Sequence, residues 1–408
     1  MKILHVVASF PVDYPGGITN YVRTLASGQL AEGHEVDVID GGGRAPWESH
    51  PLGFRRGSIA ATSRMVHVAS SHADPLGTEE FVGLIEREGY DIVHFHLTMR
   101  MGETLYERMP GLGIPYVVTL HDYYLFCPRI TMMNWRDENC GGPQRTKCER
   151  CVGVLDQVDP LYRLSRRTKV PLPRILPSSV VTRRNEKIHG FLLGARSVLA
   201  ISTRMRDFFE STYPGLDCIV AHVGTDTAGV TPLPRTPGDK LRFSFIGTLS
   251  HHKGADTLVE LARRVTRPDV EFHFYGRVLE ASKGAQLATS GITDHGPYAD
   301  ADLPQIMAAT DLGMVLSEWE EGAGLVVMEF LNFGIPVLAT RRGGLSDFVG
   351  PHNGFLFDPT PAGTDQAVAF LETLTPERLA VLAEGIRPLT TPAEHLAVVE
   401  AAYATPQG

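Results

Sequence analysis

The sequence predicts an α/β protein built from two βαβ domains, and three observations lead to that prediction. Short apolar runs alternate with amphipathic stretches through the first half of the chain. The alternation stops at a Pro-rich polar segment, VTPLPRTPGDK, and starts again at Leu241. The length, 408 residues, suits two domains of about 200 residues each. Such an alternation predicts, in each domain, a parallel sheet covered on both faces.

The first domain is predicted over residues 1–230. Its strands are expected at KILHVVASF, EVDVID, MVHVAS, DIVHFH, YVVTLHD, SVLAIS and CIVAHVG. Helices are expected from Ile18 to Glu32, from Glu79 to Glu88 and at RMRDFFESTY. A Cys-rich and basic insertion, predicted to be irregular, occupies about residues 125–190.

The second domain is predicted over residues 238–390, with strands at RFSFIGTL, EFHFYGR, GITDHGP, LGMVLS, PVLAT and GFLFD. Residues 391–408 contain a helix, PAEHLAVVEAAYA, that could pack back on the first domain. Ligands of open parallel sheets bind at the carboxyl ends of the strands. We therefore expect a site made by strand-to-helix loops of both domains, across a cleft.

Composition limits the classes of function. A content of 43% hydrophobic and 21% charged residues is typical of a globular protein. The net charge of -9 argues against a surface committed to nucleic acid. We find no apolar stretch near the ~20 residues that span a bilayer, and the N-terminus reads as a first strand. We expect a cytoplasmic protein.

The segment SEWEEGAGLVVMEFLNFGIPVLATRRGG carries the most chemistry. Gly322 and Gly324 permit close approach of the backbone to a ligand, with Ala323 between them. The amides of Gly324, Leu325 and Val326 are predicted to be free donors at a helix start, which favours a diphosphate. Glu321 and Glu329 flank this start, although two carboxylates on a solvated helix face would also fit the bare spacing.

The whole string resembles glycosyltransferase family 4. The matching positions are Glu321, Glu329, Gly334, Pro336, Val337, Gly343 and Gly344. The resemblance extends to PGGITNYVRTLASGQLAEGHEVDVI, DIVHFHL, VVTLHDYYLFCPR and FIGTLSHHKGADTLVELA. It implies a GT-B fold, in which two Rossmann-like domains face each other across a cleft. It also implies transfer of a sugar from a nucleotide diphosphate-sugar to an acceptor hydroxyl, with retention and without a catalytic metal.

The resemblance implies a role for Lys253, in the loop after RFSFIGTL, on the donor phosphates. Thr248 stands beside Gly247 where the family usually has an Arg, so some phosphate charge is expected to be met elsewhere. Arg277, just after EFHFYGR, is a candidate for that role or a solvent-exposed strand end.

On the first domain, Gly16 and Gly17 match the family's GG loop, which implies that their amides face the same diphosphate. The resemblance places His121 against the donor sugar as a catalytic residue together with Glu321 and Lys253. Asp122 either orients His121 or meets the acceptor, and Tyr123 is the second acceptor candidate.

The segment HGPYADADLPQIM resembles the family's loop for the nucleotide base, which implies that Pro297 and Tyr298 lie beside the base. Glu329, more than a turn into its helix, is expected to reach the ribose hydroxyls. The triplet Asp300–Asp302 could be read as a metal-binding D-x-D, but helix capping explains it without a metal.

Four cysteines fall in one irregular stretch: Cys127, Cys140, Cys148 and Cys151. A cytosolic cluster that ends in C-x2-C is compatible with structural zinc, and disulfides or free thiols are the alternatives. Cys218 lies in a predicted strand and is expected in the core.

Residues 161–190 are strongly basic and contain a single acidic residue, Glu186. The run is either a solvated face or a contact for anionic lipid or a phosphate-bearing acceptor. Its basic residues are Arg163, Arg166, Arg167, Lys169, Arg174, Arg183, Arg184 and Lys187.

The sequence thus predicts a retaining glycosyltransferase of surface polysaccharide or secondary-metabolite synthesis, with a saccharide, lipid-linked or small-molecule acceptor. Peripheral contact with the inner face of the plasma membrane is compatible with it. A nucleotide-sugar epimerase or hydrolase of similar fold, or a non-catalytic binding protein built around the cysteines, are the alternatives, because fold alone does not fix function.

Overall fold

The computed structural model divides into two compact units, Met1–Val223 together with Pro392–Gly408, and Gly224–Thr391. It describes residues 1–10, 16–43, 45–59, 74–99, 101–153, 167–168, 170, 172–173, 179–225, 233–236 and 238–405. Each unit contains a mainly parallel sheet, so the predicted fold class is confirmed. The predicted strand MVHVAS lies outside the described residues.

The first unit holds an eight-stranded sheet of order β3-β4-β2-β1-β5-β6-β7-β8. Its strands are β1 (Lys2–Val7), β2 (Glu35–Asp40), β3 (Ala45–Ser49), β4 (Arg55–Ser58), β5 (Ile92–Phe95), β6 (Tyr116–Leu120), β7 (Ser197–Ala200) and β8 (Cys218–Val220). Its helices are α1 (Gly17–Ala31), α2 (Pro75–Glu88), α3 (Thr104–Arg108), α4 (Arg145–Val152), α5 (Val180–Leu193) and α6 (Thr203–Thr212). The long helix near the end of the chain, which we number α14 (Pro392–Ala404), also belongs to this unit.

The edge of this sheet departs from the prediction. β3 and β4 were not predicted, and β3 pairs with β4 in the antiparallel sense. Their sequences, APWES and RRGS, lack the apolar alternation of a buried strand. Ion pairs attach this edge instead, since Arg55 and Arg56 of β4 reach Asp37 and Asp40, both buried on β2.

The insertion predicted to be irregular contains two helices, α4 and α5. Although α5 is rich in charged residues, it has an apolar stripe that includes Val181, Ile188 and Phe191, all buried. Arg184 is also fully buried and donates to the carbonyl of Tyr124. It therefore belongs to the interior and not to the exposed basic face that the sequence suggested.

The second unit holds a six-stranded parallel sheet of order β11-β10-β9-β12-β13-β14. Its strands are β9 (Leu241–Ile246), β10 (Val270–Tyr275), β11 (Ile292–Asp294), β12 (Leu312–Val315), β13 (Val337–Thr340) and β14 (Gly354–Phe357). Its helices are α7 (Ala255–Arg264), α8 (Ala281–Ala288), α9 (Leu303–Ala308), α10 (Leu325–Asn332), α11 (Leu345–Phe348), α12 (Pro361–Glu372) and α13 (Pro376–Glu384). Apolar clusters form the core of this unit, with Phe243, Leu258 and Leu338 in one and Ile246, Val327 and Phe330 in the other.

Every predicted strand that falls within the described residues has a counterpart in the sheets. Cys218 is buried on β8, as expected for a core residue. Within the described ranges, no helix combines the length and the apolar character that crossing a membrane requires.

Two loops at the carboxyl edge of the second sheet are in direct backbone contact. Gly344 donates its N–H to the carbonyl of Glu321 at 3.0 Å, and Gly343 donates to the buried carboxylate of Glu320 at 2.7 Å. Gly343 has φ +54, and a Cβ added there would lie 1.9 Å from the carbonyl oxygen of Glu321. The loop after β13 thus holds the loop after β12 in position.

We expect Gly343→Ala to destabilise the second unit by roughly 3 kcal/mol or more, because left-handed strain is joined by a backbone clash. Gly334→Ala is the matched control, since Gly334 has a similar φ of +70 with open space around its Cβ position. We expect it to cost only about 1 kcal/mol. Calorimetric unfolding of both variants measures the difference, and equal losses would show that the contact between the loops is unimportant.

Candidate active site

The second sheet changes chain direction between β9 and β12. The chain runs outward from β9 through β10 to β11 and then returns to β12 on the other side of β9. Ligands of open α/β sheets bind at such a switch point. Lys253 follows β9 and Glu321 follows β12, so the topology brings these two predicted residues together.

Lys253 and Glu321 form an ion pair, with the Lys Nζ 2.7 Å from the Glu Oε1. Glu321 is buried, and the hydroxyl of Ser317 donates to the same carboxylate oxygen. Burial alone would raise the pKa of Glu321, but the charge of Lys253 and the hydrogen bonds from Lys253 and Ser317 lower it below the ordinary value. The Lys253 ammonium also lies 4.5 Å from the ring centroid of Trp319. Glu321 is therefore an ionised carboxylate.

Helix α10 begins at Leu325, directly after the buried Gly324. Gly324 precedes the helix with φ +75, and a Cβ there would approach Leu345 to 2.4 Å. Within the described chain, the amides of Gly324, Leu325 and Val326 donate no hydrogen bond. Free amides at a helix start, with the helix dipole behind them, form a site for an anion.

Glu329 lies further along α10 and is partly buried near Tyr298 and Asp300. Burial, and then the charge of Asp300, raise the pKa of Glu329 to about 7. Burial, Glu329 and Asp300 likewise raise the pKa of Tyr298 to about 12. The structure thus groups Glu329 with Tyr298, the predicted ribose and base residues.

The remaining predicted residues of this unit follow the strands at the same edge. Arg277 is exposed after β10, and its carbonyl accepts from Leu249, in the loop after β9, at 2.8 Å. Gly247 and Thr248 are partly buried in that loop, and Pro297 is exposed. Gly322 is partly buried and Ala323 buried, directly after Glu321.

The triplet Asp300–Asp302 forms a short 3-10 helix before α9. A carboxylate oxygen of Asp302 accepts from the N–H of Ala299 at 2.9 Å. Asp302 therefore has the capping contact that the sequence predicted for this triplet.

In the first unit, His121 directly follows β6. Its Nε2 lies 3.1 Å from Nδ1 of His96, and its ring meets the ring of Tyr21 edge-on with centroids 4.4 Å apart. Burial, and then His395, lower the pKa of His121 to about 3, so the ring is neutral. No hydrogen-bond partner for Nδ1 occurs among the residues that the structure describes. A small cavity of about 10 Å³, the size of one water molecule, lies against His96 and His121.

The two acceptor candidates, Asp122 and Tyr123, have different surroundings in the structure. Asp122 accepts from the N–H of Tyr124 at 2.8 Å, and burial raises its pKa to about 6. The group that hydrogen-bonds His121 is His96, so of the two roles foreseen for Asp122, orienting His121 does not fit. Tyr123 is only 1% exposed, against Phe126 and Phe208, because its ring belongs to the core. That burial contradicts its expected contact with an acceptor.

Gly16 and Gly17 are exposed at the start of α1, which follows β1. Gly16 caps the helix in an extended conformation, and its carbonyl accepts from Asn20 at 3.0 Å. The loop residues 11–15 that precede them lie outside the described residues. The position at the carboxyl edge of the first sheet is the predicted one.

The four clustered cysteines, Cys127, Cys140, Cys148 and Cys151, are not joined in disulfide bonds and are partly exposed. Burial, and then Cys140, raise the pKa of the Cys127 thiol to about 12, and burial raises that of Cys148. In the described part of the chain, no three of these sulfurs lie within 4.8 Å of one another. Tetrahedral zinc with bonds of about 2.3 Å would require their side chains to rotate, and the zinc site stays a prediction.

The structure adds residues that the sequence analysis did not identify. Ser317 donates a hydrogen bond to Glu321, and the ring of Trp319 lies against the ammonium of Lys253. Both residues belong to the loop of Glu321, four and two residues before it. His96 holds His121, and the H-x-H pattern at the end of DIVHFH was an available signal for it.

We expect Glu329→Gln to stabilise the ligand-free protein at pH 8 and to have little effect near pH 4.5. The raised pKa means that the folded chain binds this proton more tightly than the unfolded chain does. The contribution of Glu329 to stability is therefore complete below its ordinary pKa, and it is lost as the pH rises to about 7. Thermal unfolding from pH 4.5 to 8 measures the effect, and a gain that does not vary with pH would contradict it.

Solved structures resemble the whole chain, and a curated relative resembles most of it. Sucrose-phosphate synthase from Thermosynechococcus elongatus superposes with a TM-score of 0.67 at 17% identity, covering 99% of this chain and 97% of that one. Anabaena HepE in complex with UDP and glucose superposes with a TM-score of 0.62 at 17% identity, covering 100% of both chains. D-inositol 3-phosphate glycosyltransferase of Arthrobacter sp. strain FB24 is 26% identical over 375 residues, 82% of this chain and 77% of the relative. The fold is therefore GT-B.

Two family models together match nearly the whole chain. The model "Glycosyl transferases group 1" matches residues 234–383, the unit that contains Lys253, Glu321 and Glu329. The model "Glycosyltransferase Family 4" matches residues 15–228, more than half of the chain, including Gly16 and His121. These matches, with the relatives named above, support a glycosyltransferase that uses a nucleotide-sugar donor. The chain belongs to glycosyltransferase family 4.

Proposed function

We propose that this glycosyltransferase acts on a nucleoside diphosphate-sugar with retention of the anomeric configuration. The observation that carries the proposal is the ion pair of Lys253 and Glu321 beside the free amides that begin α10. The pair combines, in one place, groups for both charges that develop when a glycosidic phosphate bond breaks.

The leaving diphosphate is proposed to bind between Lys253 and the start of α10. An ammonium has three donors, so Lys253 can keep its bond to Glu321 and still donate to a phosphate oxygen. The amides of Gly324 and Leu325 are already oriented by the helix, so they need no rearrangement when negative charge develops.

Glu321 is proposed to stabilise positive charge on the sugar ring as its bond breaks. Its lowered pKa makes it a poor general base, because a base works best with a pKa near the working pH. The proton of the acceptor hydroxyl would then pass to the leaving phosphate on the same face of the sugar. Such a front-side displacement retains the configuration.

Similar structures contain two different nucleotides: HepE holds UDP, and the catalytic domain of Arabidopsis starch synthase IV holds ADP. UDP and ADP are therefore the first diphosphates to test, with Glu329 as the proposed partner of the ribose hydroxyls. The acceptor is proposed to be a saccharide, a lipid-linked sugar or a small molecule, in polysaccharide or secondary-metabolite synthesis.

Transfer is proposed to need no metal, and the cysteine cluster remains the place where structural zinc would bind. Peripheral contact with anionic lipid would depend on the exposed Arg167 and Arg183 and on basic residues outside the described part of the chain. Arg184 is buried, and Lys187 is paired with Glu103 and Glu107 at 2.9 and 3.0 Å. Arg184 and Lys187 are thus not part of the proposed lipid contact.

We expect UDP, ADP or another nucleoside diphosphate to raise the melting temperature of the protein, and Lys253→Ala to lose most of that rise. A ligand at 100 times its Kd stabilises the native state by about 2.7 kcal/mol. Lys240→Ala is the matched control, because Lys240 precedes β9 at the opposite edge of the sheet and pairs with Glu271. We expect the control to keep the rise. If no diphosphate stabilises the wild-type protein, the donor site is wrong.

We expect the product of a single transfer to have the same anomeric configuration as the donor, measured by NMR of the first-formed product. Glu321→Gln keeps a side chain that can accept from Ser317 but removes the charge. Its kcat should fall about 10²-fold or more, with diphosphate binding retained. An inverted product would refute retention, and an unchanged kcat would remove Glu321 from the mechanism.

A further inference from the structure

The interior of the first unit contains three buried histidines, His5, His94 and His96, with one nitrogen of each within 4.8 Å of the others. Such a trio invites a metal, but all six ring nitrogens already have hydrogen-bond partners. A divalent ion would break these bonds and would bring uncompensated charge into a buried site. The histidines are better explained as part of a hydrogen-bond chain.

The first half of this hydrogen-bond chain starts at His121 and runs into the interior of the first unit. Nε2 of His121 is 3.1 Å from Nδ1 of His96, and Nε2 of His96 is 2.9 Å from Nδ1 of His5. Nε2 of His5 is 2.7 Å from the carbonyl oxygen of Gln29, whose amide nitrogen is 3.0 Å from the hydroxyl of Tyr403 on α14.

The second half leads from Tyr403 to a backbone carbonyl. The Tyr403 hydroxyl is 2.7 Å from Nδ1 of His94, and Nε2 of His94 is 2.7 Å from the hydroxyl of Thr119. Thr119 hydrogen-bonds Tyr21, whose hydroxyl is 2.8 Å from Nε2 of His395. Nδ1 of His395 is 2.8 Å from the carbonyl oxygen of His222.

The five imidazoles of this hydrogen-bond chain are neutral at pH 7. Burial lowers the pKa of His5 to about 4 and that of His121 to about 3, and it lowers the pKa of His94, His96 and His395 as well. A neutral imidazole has one N–H donor and one acceptor nitrogen. Once one bond of such a ring has a direction, the direction of its other bond is fixed.

The backbone carbonyl sets the direction of the second half, because it can only accept. His395 must donate to it from Nδ1, so its Nε2 accepts from the hydroxyl of Tyr21. Tyr21 then accepts from Thr119, and Thr119 accepts from Nε2–H of His94. Nδ1 of His94 is left as an acceptor.

The same rule fixes the directions of the hydrogen bonds from Tyr403 to His121. Tyr403 donates to His94 and therefore accepts from the amide of Gln29, whose carbonyl then accepts from Nε2–H of His5. Nδ1 of His5 accepts from Nε2–H of His96, and Nδ1 of His96 accepts from Nε2–H of His121. Each bond in the chain thus has one direction.

We infer that this hydrogen-bond chain fixes His121 as its Nε2–H tautomer, so that His121 offers an unprotonated Nδ1 to the substrate. Such a nitrogen accepts a hydrogen bond from a sugar hydroxyl and does not favour a phosphate or carboxylate oxygen. Gln29 and Tyr403 are positioning residues that act through His5 and His96. The inference rests on the proposed function, together with the contact between His121 and the donor sugar that the resemblance to glycosyltransferase family 4 implies.

The test is the tautomer of His121 in ligand-free protein labelled with 15N-histidine, read from long-range 1H–15N spectra at pH 7.5. The His121 signals are assigned by their loss in His121→Asn. Tyr403→Phe removes one hydroxyl from the middle of the chain. Tyr116→Phe is the matched control, since the buried Tyr116 hydroxyl donates to the carbonyl of Phe191 at 2.6 Å, outside the chain.

We expect pure Nε2–H in the wild type and in Tyr116→Phe, and a mixture of tautomers in Tyr403→Phe. The kcat of Tyr403→Phe should fall roughly 3- to 10-fold, the value of one neutral hydrogen bond, and that of the control should stay within about 2-fold. Nδ1–H in the wild type, or no change of tautomer in Tyr403→Phe, would overturn the inference. A protein with the Nε2–H tautomer but no activity on any donor supports the inference and overturns the proposed function instead.

Discussion

The second unit depends on keeping one carboxylate ionised in its interior. Removing a charged group from water is strongly unfavourable unless a partner compensates. Glu321 has that partner in Lys253, and Ser317 hydrogen-bonds the same oxygen. The neighbouring loop has its own role, because the N–H of Gly344 holds the backbone of Glu321 at 3.0 Å. Strand order, loop packing and the ammonium of Lys253 all contribute to the surroundings of this charge.

The first unit also buries a network of polar groups, but this network uses neutral groups instead of charged ones. Its carboxyl edge also leads to buried polar groups, but these are neutral imidazoles, hydroxyls and an amide. Neutral groups avoid the cost of a buried charge as long as each donor meets an acceptor. One unit thus stabilises a buried ion pair, and the other holds in its interior neutral polar groups joined by hydrogen bonds.

The sequence predicted every described strand of the two sheets except β3 and β4, and the reasons are physical. Buried parallel strands are apolar runs, and strand-to-helix loops carry Lys253, Glu321 and Gly324 in recognisable strings. The pairing of Lys253 with Glu321 was not predictable, because it depends on which strands are neighbours in the sheet. Burial could not be predicted for Tyr123 and Arg184 either, because it depends on tertiary packing.

The contribution of α14 to the first unit also has a consequence for biosynthesis. A ribosome makes Gly224–Thr391 before it reaches Pro392–Ala404, yet this last helix supplies His395 and Tyr403 to the interior of the first unit. Until then Tyr21, Gln29 and His94 lack partners that the finished protein gives them. The nascent first unit is consequently incomplete throughout elongation of the second. Vectorial, domain-by-domain folding cannot complete this protein.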